Sequence, residues 1–419
     1  MSGVSIPEAL RKNLRPRRSI AGSARPKTAA QVEKWVAKTF ASKPHSYMPK
    51  TNAQLFEAGL ESKNEETLAS ARREAYELLS KLDAASVKAA SIEALSVAER
   101  MVWHMSHEAS LAPVIAAARG LPDAVEAVVR ATRLQTATLD GYTTSVLVVP
   151  ASAQGRTWGE PCRPLRHLIC AAPDAEYVEA RRHAEALRKD ADLMLRSSIA
   201  YVFPEEPWGN ADLESALESE AKPEAYHFVL TAVSDASLVQ RWVAAKGPFH
   251  LATYALDLVC ALPPAEAVAL FGEHLPKLLV KPKHGPLLKT PPRDVAQALA
   301  CIGTKAAAAT LAAYANHAVL APMVLAFFRE RPELGSALQA QAKGKGKLEA
   351  TAARGIGMTR PAAAEATAEP GDLPPVLRDA PWRASKRGGK ETIVAGLSLL
   401  GLELERVAPL AAAPEGEIA

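Results

Sequence analysis

Thr290-Pro291-Pro292-Arg293-Asp294-Val295-Ala296-Gln297-Ala298-Leu299-Ala300-Cys301-Ile302, closed by Gly303, is the stretch on which the fold turns. Val295, Leu299 and Ile302 recur at helical spacing and line one stripe. Ala307, Leu311 and Tyr314 repeat the pattern, and Val319, Met323, Phe327 and Phe328 repeat it again. Short helices that are apolar on one side cannot stand alone in water, so each must hide its stripe on a neighbour. That logic predicts an all-α chain: an irregular α-solenoid of the HEAT or armadillo kind.

Working outward, one local signal returns. A proline stands at or near the head of an apolar-periodic segment, with an acid close behind. It occurs at Leu121-Pro122-Asp123, Ala172-Pro173-Asp174, Pro263-Pro264-Ala265-Glu266, Pro291-Pro292-Arg293-Asp294 and Arg331-Pro332-Glu333. Proline suits the first helical position because its missing N–H would be unpaired there, and acids suit the positive end of the helix dipole. Five helix starts follow, at irregular intervals. Further upstream, residues 64–82 read as a long amphipathic helix on Leu68, Ala71, Ala75, Leu78, Leu79 and Leu82, and Trp35, Val36, Thr39 and Phe40 share a face. One segment dissents: Tyr142-Thr143-Thr144-Ser145-Val146-Leu147-Val148-Val149 is β-branched, lies between Gly141 and Pro150, and reads locally as a strand. With no partner in sight, it is either a buried extended stretch or made helical by tertiary packing.

The resulting organisation is a disordered basic arm over residues 1–27, a helical region over 28–150 and a loop at 151–161. A HEAT-like array over 162–355 follows, and then an extended Pro/Ala-rich linker and tail over 356–419.

Composition supports helices. The hydrophobic fraction is 48% but aromatics are only 5%, and alanine, which loses no side-chain entropy in a helix, fills much of the rest. Charge is unevenly spread. Residues 1–50 carry eleven Lys/Arg against Glu8 and Glu33, a surplus of +9, which leaves −5 on the remainder of a chain whose net charge is +4. Basicity therefore lives in the leader and argues little for nucleic-acid binding by the folded part. Cys162, Cys170, Cys260 and Cys301 form no CxxC pair and read as small buried apolar residues in a reducing, cytoplasmic setting. No apolar run has the ~18–20 residues of a membrane span.

Motifs of chemistry fail on spacing. His104-Met105-Ser106-His107-Glu108 puts two histidines three apart, whereas a zinc-protease helix needs four-residue spacing with the glutamate between. Neither a Gly-x-Ser-x-Gly elbow, a Gly-x-Gly-x-x-Gly loop nor a Walker-type Gly-Lys-Ser/Thr occurs, so no catalytic, cofactor or metal residue is nominated. The Glu205-Glu206 pair lies in a proline-flanked turn and reads as a solvated loop. Lys277, Lys281, Lys283, Lys289 and Arg293 crowd a proline-punctuated connection and are the candidate contacts for an anion or acidic partner. No aromatic is interleaved there to stack on bases.

Near the C-terminus, Leu373-Pro374-Pro375-Val376-Leu377-Arg378-Asp379-Ala380-Pro381-Trp382, followed by Lys386-Arg387-Gly388-Gly389-Lys390, resembles the linker of bacterial molybdate-metabolism-regulator (MolR) proteins. Ala321-Pro322-Met323-Val324-Leu325-Ala326-Phe327-Phe328-Arg329-Glu330-Arg331-Pro332-Glu333-Leu334 resembles the degenerate repeat that precedes it. The resemblance covers roughly residues 290–390 and implies a bacterial, cytoplasmic protein with a regulatory role, with Trp382 as a docking residue. It also implies a C-terminal domain of unknown function that is missing here, so the chain is expected to be a fragment, a split gene product whose separately encoded domain is a partner, or a shortened member. The small Trp-Gly-Arg module of that family is not transferred, since Trp158-Gly159-Glu160 and Trp208-Gly209-Asn210 both lack the arginine.

The expectation is a non-catalytic helical-repeat scaffold for protein–protein contact. The alternative is a nucleic-acid-associated regulator using the leader and the 277–293 loop.

Overall fold

The computed structural model describes residues 4–11, 14–20, 27–42, 63–106, 109–138, 146–150, 162–219, 223–280 and 290–342. The loop at 151–161, the linker and tail beyond 355, and Lys281, Lys283, Lys289, His107 and Trp382 lie outside them. Two compact units emerge: Met1–Leu311 with His317–Leu320, and Ala312–Asn316 with Ala321–Ala419.

The first unit is predominantly helical. It opens with α1 (Glu8–Arg11), α2 (Ala29–Ser42), α3 (Lys63–Ser80), α4 (Ala84–Ala89), α5 (Ile92–Met105), α6 (Ala112–Arg119) and α7 (Leu121–Ala131). Helix α3 follows its expected stripe, with Ala71, Ala75, Leu78 and Leu79 buried. Helix α5 starts because Ser91 caps it: its hydroxyl accepts the Ala94 N–H at 3.1 Å while donating to Glu74 at 2.6 Å. Such a cap contributes about 1 kcal/mol. Helices α6 and α7 meet at Gly120, whose φ of 95° is a left-handed value that a side chain would resist. Helix α7 then buries Leu121, Ala124, Val125, Ala127, Val128 and Val129, packing on both α5 and α6.

The dissenting segment has a partner after all. Strand β1 (Leu134–Thr138) pairs antiparallel with β2 (Val146–Pro150), Leu134 opposite Pro150 and Thr138 opposite Val146. Among the described residues these are the two strands that pair as a sheet, and the periodicity reading missed the first because Leu134-Gln-Thr-Ala-Thr138 has little apolar character to alternate.

Helices α8 (Arg163–Ala171), α9 (Asp174–Arg188), α10 (Leu193–Val202) and α11 (Trp208–Glu218) follow, then a 3-10 segment (Pro223–Ala232). After it come α12 (Ala236–Lys246), α13 (Phe249–Thr253), α14 (Ala255–Ala261), α15 (Pro264–Leu279), α16 (Thr290–Cys301) and α17 (Lys305–Ala312). The proline signals at 122, 173, 263 and 291 fall within one or two residues of a helix start. Helices α7 and α9 pack directly together, so the expected division at 151–161 does not part the packing. Helix α11 approaches the 3-10 segment so closely at Gly209 that a Cβ there would lie 2.3 Å from the Ala232 carbonyl oxygen. That explains a glycine after Trp208 without any borrowed module.

In the second unit, α18 (Ala321–Glu330) leads through a 3-10 turn at Pro332 into α19 (Gly335–Ala342). Phe327 and Phe328 meet edge-on at 5.1 Å, and the Arg331 guanidinium lies 5.0 Å from the Phe327 ring.

Part of the leader departs from its expectation. Residues 14–17, read as part of a solvated disordered arm, are all buried in the first unit. Val4 bridges to Ile302 and the Ser5 N–H donates to the Cys301 carbonyl at 2.9 Å. Low hydrophobicity misled because this segment is held by charge rather than by apolar area.

Candidate functional site

Among the described residues, a group of charged side chains converges around Leu14-Arg15-Pro16-Arg17-Arg18. Pro16 fixes its own φ, offers no N–H, and disfavours helix at Arg15, so the segment runs extended and its arginines fan out. Each finds a different acceptor.

Arg15 meets Asp257, in the first turn of α14: its backbone N–H donates to Oδ1 at 3.1 Å and its Nη1 to Oδ2 at 3.0 Å. Asp257 is 1% exposed. The same guanidinium lies 4.4 Å from the centre of the Tyr254 ring. Arg17 reaches two main-chain oxygens, Pro204 at 3.3 Å and Thr231. Arg18 donates to the carbonyls of Ile169 at 3.3 Å and Ala172 at 2.7 Å, pairs with Asp174, and takes Glu205 on its backbone N–H at 2.6 Å. Its guanidinium stands 4.3 Å over Tyr177.

These carbonyls share a property. Ile169 and Ala172 end α8, Pro204 follows α10, and Thr231 ends the 3-10 segment. The last carbonyls of a helix have no partner within it and carry the negative end of its dipole. Arg17 and Arg18 therefore act as C-terminal caps for two elements, α8 and the 3-10 segment, through charge-assisted bonds roughly twice as strong as neutral ones. The body answers in kind: Arg166 of α8 donates to the Pro16 carbonyl at 2.9 Å and to the Thr231 hydroxyl at 2.7 Å, and the Cys170 thiol reaches Pro16 at 3.3 Å. Burial and the neighbouring Arg166 both lower the pKa of Arg17, while Glu205 and Asp257 oppose them.

A ring cluster adjoins Arg15. Tyr254 Oη lies 2.5 Å from His227 Nδ1. His227 stacks on His250 at 4.7 Å, and Trp242 tilts against His250 at 6.0 Å. Burial pushes the Cys170 and Cys260 thiols up to about 12, so neither is a thiolate nucleophile or ligand at neutral pH. Elsewhere, Glu99 of α5 is wholly buried and its pKa is raised to about 7 by burial, against the opposing hydrogen bonds from Ser110 and Leu111. Its carboxylate accepts the Leu111 N–H at 2.5 Å, standing in for the side-chain cap that α6 lacks.

The nominated basic loop is only partly described. Lys277 is engaged by Glu273 at 2.9 Å and by His274 Nδ1 at 3.2 Å. Arg293 is exposed, with Nε 3.5 Å from the Val319 carbonyl. The residues that sequence reasoning missed are Arg15, Arg17, Arg18, Arg166 and Asp257. One signal existed: Asp257 is a lone charge within Tyr254-Ala255-Leu256-Asp257-Leu258-Val259-Cys260, and a charge in such a run requires a partner. Among the described residues no three His, Cys, Asp or Glu side chains gather to hold a metal ion, and no helix is long and apolar enough to cross a membrane.

Compared with known proteins, residues 35–250 match the family model of the YehI second domain. No curated protein and no solved structure matches the chain. The match lies upstream of the Leu373–Trp382 string and gives no indication of molybdate regulation. It takes in α8, α9 and the 3-10 segment, which receive Arg17 and Arg18, whereas the leader itself and Asp257 fall outside it. Spanning just over half of its length, the match makes this chain a member of the YehI second-domain family.

Proposed function

We propose that the chain is a non-catalytic helical scaffold, its helices stacked in the HEAT-like manner, that works by binding another protein in a regulatory setting. The observation that carries this reading is where the buried charges go. Arg15, Arg17, Arg18 and Arg166 engage two aspartates, one hydroxyl and main-chain carbonyls, and Arg188 is held by Asp212 of α11 at 2.7 and 2.9 Å. Charges so engaged organise a framework, whereas a catalytic site keeps groups aimed at an open position. The nucleic-acid alternative is weakened on the same ground, because three of the leader's cations are occupied within the protein.

The test is affinity capture with the full chain, followed by reconstitution from purified components. A defined protein that binds the purified chain with micromolar or better affinity is the expected result. Turnover of a small molecule by the purified chain, abolished by Glu99→Gln or His227→Gln in a folded variant, would overturn the reading.

A further inference from the structure

We propose that the cleft formed by α8, the 3-10 segment and α14 is a receptor for an extended Arg-Pro-Arg-Arg peptide, filled in this chain by its own residues 15–18 and open to the same motif on a protein partner. The inference rests on reading the chain as a protein-binding module, and it names the chemistry of the partner.

The cleft reads its occupant residue by residue. Asp257 takes both the backbone N–H and the guanidinium of Arg15, and the Tyr254 ring lies beneath that guanidinium. The Pro204 and Thr231 carbonyls take Arg17. Ile169, Ala172 and Asp174 take Arg18, with Tyr177 beneath it and Glu205 on its N–H. Arg166 and Cys170 both grip the carbonyl of Pro16. This combination of main-chain hydrogen bonds and separate side-chain seats is how proteins recognise extended peptides.

Two features make the occupant exchangeable rather than a fixed part of the core. Its contacts with the body are mainly directional and charge-assisted, with Leu14 as the one large apolar side chain of this short stretch that is fully buried. Arg17 also lies close enough to Arg166 for their like charges to oppose one another away from water, a cost built into the filled state. Moreover, the seats for Arg17 and Arg18 belong to the matched family region, whereas the occupant precedes it.

The probe is a fluorescein-labelled synthetic peptide of residues 4–20, titrated into the full-length chain and into the full-length Arg15→Ala/Arg17→Ala/Arg18→Ala variant. An internal occupant lowers apparent affinity by the fraction of molecules in which the cleft is open, so the variant is expected to bind the peptide at least about tenfold more tightly. Adding Asp257→Asn to the variant, or replacing the peptide's arginines by alanine, abolishes that gain. Equal binding by a variant whose cooperative melt shows it folded would overturn the proposal. Should the variant not fold, hydrogen exchange on the unaltered chain decides. The Arg15 and Arg18 amides exchange far faster than those of α7 if the segment leaves its cleft, and equal protection would sink the idea. Failure here with a reconstituted protein partner in hand leaves the scaffold reading standing, whereas peptide binding without such a partner does the reverse.

Discussion

Helices α5 and α7 pack on one another and bury Leu95, Ala98, Val102, Val125 and Val128 completely. In the Leu14–Arg18 segment of the same unit the first four residues are buried and Arg18 half-buried, yet three of its five side chains are arginines. The first region is held by apolar area, which is non-directional and worth ~25 cal/mol per Å² removed from water. The second is held by bonds that must each meet a particular oxygen. Burial alone thus says nothing of what holds a segment in place, and the two kinds should answer perturbation differently.

The largest break in the comparison is Asp257→Ala. It strands the buried Arg15 charge, and the expected loss is about 3–5 kcal/mol by urea unfolding. The paired replacement Arg15→Met/Asp257→Leu restores most of it, because apolar side chains of similar bulk substitute well for a buried ion pair. If the single and paired variants lose the same amount, the leader is not held by this pair. Leu95→Ala in the apolar region is expected to cost about 3 kcal/mol through lost transfer energy and the cavity left behind. Sodium chloride should leave that loss unchanged, since no charge is involved.

Glu99 puts a charge problem inside the apolar region and so sharpens the contrast. Its pKa is raised from 4.5 to about 7, so the folded state binds the proton more tightly than the unfolded one. Its contribution is complete below the unfolded value and is lost as pH climbs through the folded one. Stability should fall by about 2 kcal/mol between about pH 5 and pH 7 from this group, and the Glu99→Gln variant should lack that component in parallel denaturation series. A wild type whose pH dependence matches the variant's would contradict the assignment. The smallest effect is expected at the surface: Arg241 and Glu214 lie 3.1 Å apart but are each about half exposed, so Arg241→Ala should change stability by less than about 1 kcal/mol.

Much of the helical architecture was legible. The Pro122, Pro173, Pro263 and Pro291 signals each mark a helix start, because proline and dipole chemistry act within a few residues. The strand at Val146–Val149 was legible for the same reason, its β-branched run being local, while its partner Leu134–Thr138 was not. The charged site was nearly invisible. Arg17 and Arg18 bind main-chain carbonyls of Thr231, Ile169 and Ala172, and a carbonyl has no letter in a sequence. Only Asp257, isolated among apolar neighbours, hinted that a cation was wanted.

By itself, then, the sequence determined a chain of short one-sided helices with their starts, since periodicity and capping are written within a turn or two of each residue. The tertiary structure decided that Leu14–Arg17 of the basic leader belong inside. That outcome depends on oxygens brought together from helix ends more than a hundred residues away, and their field exists only after those helices have formed and met.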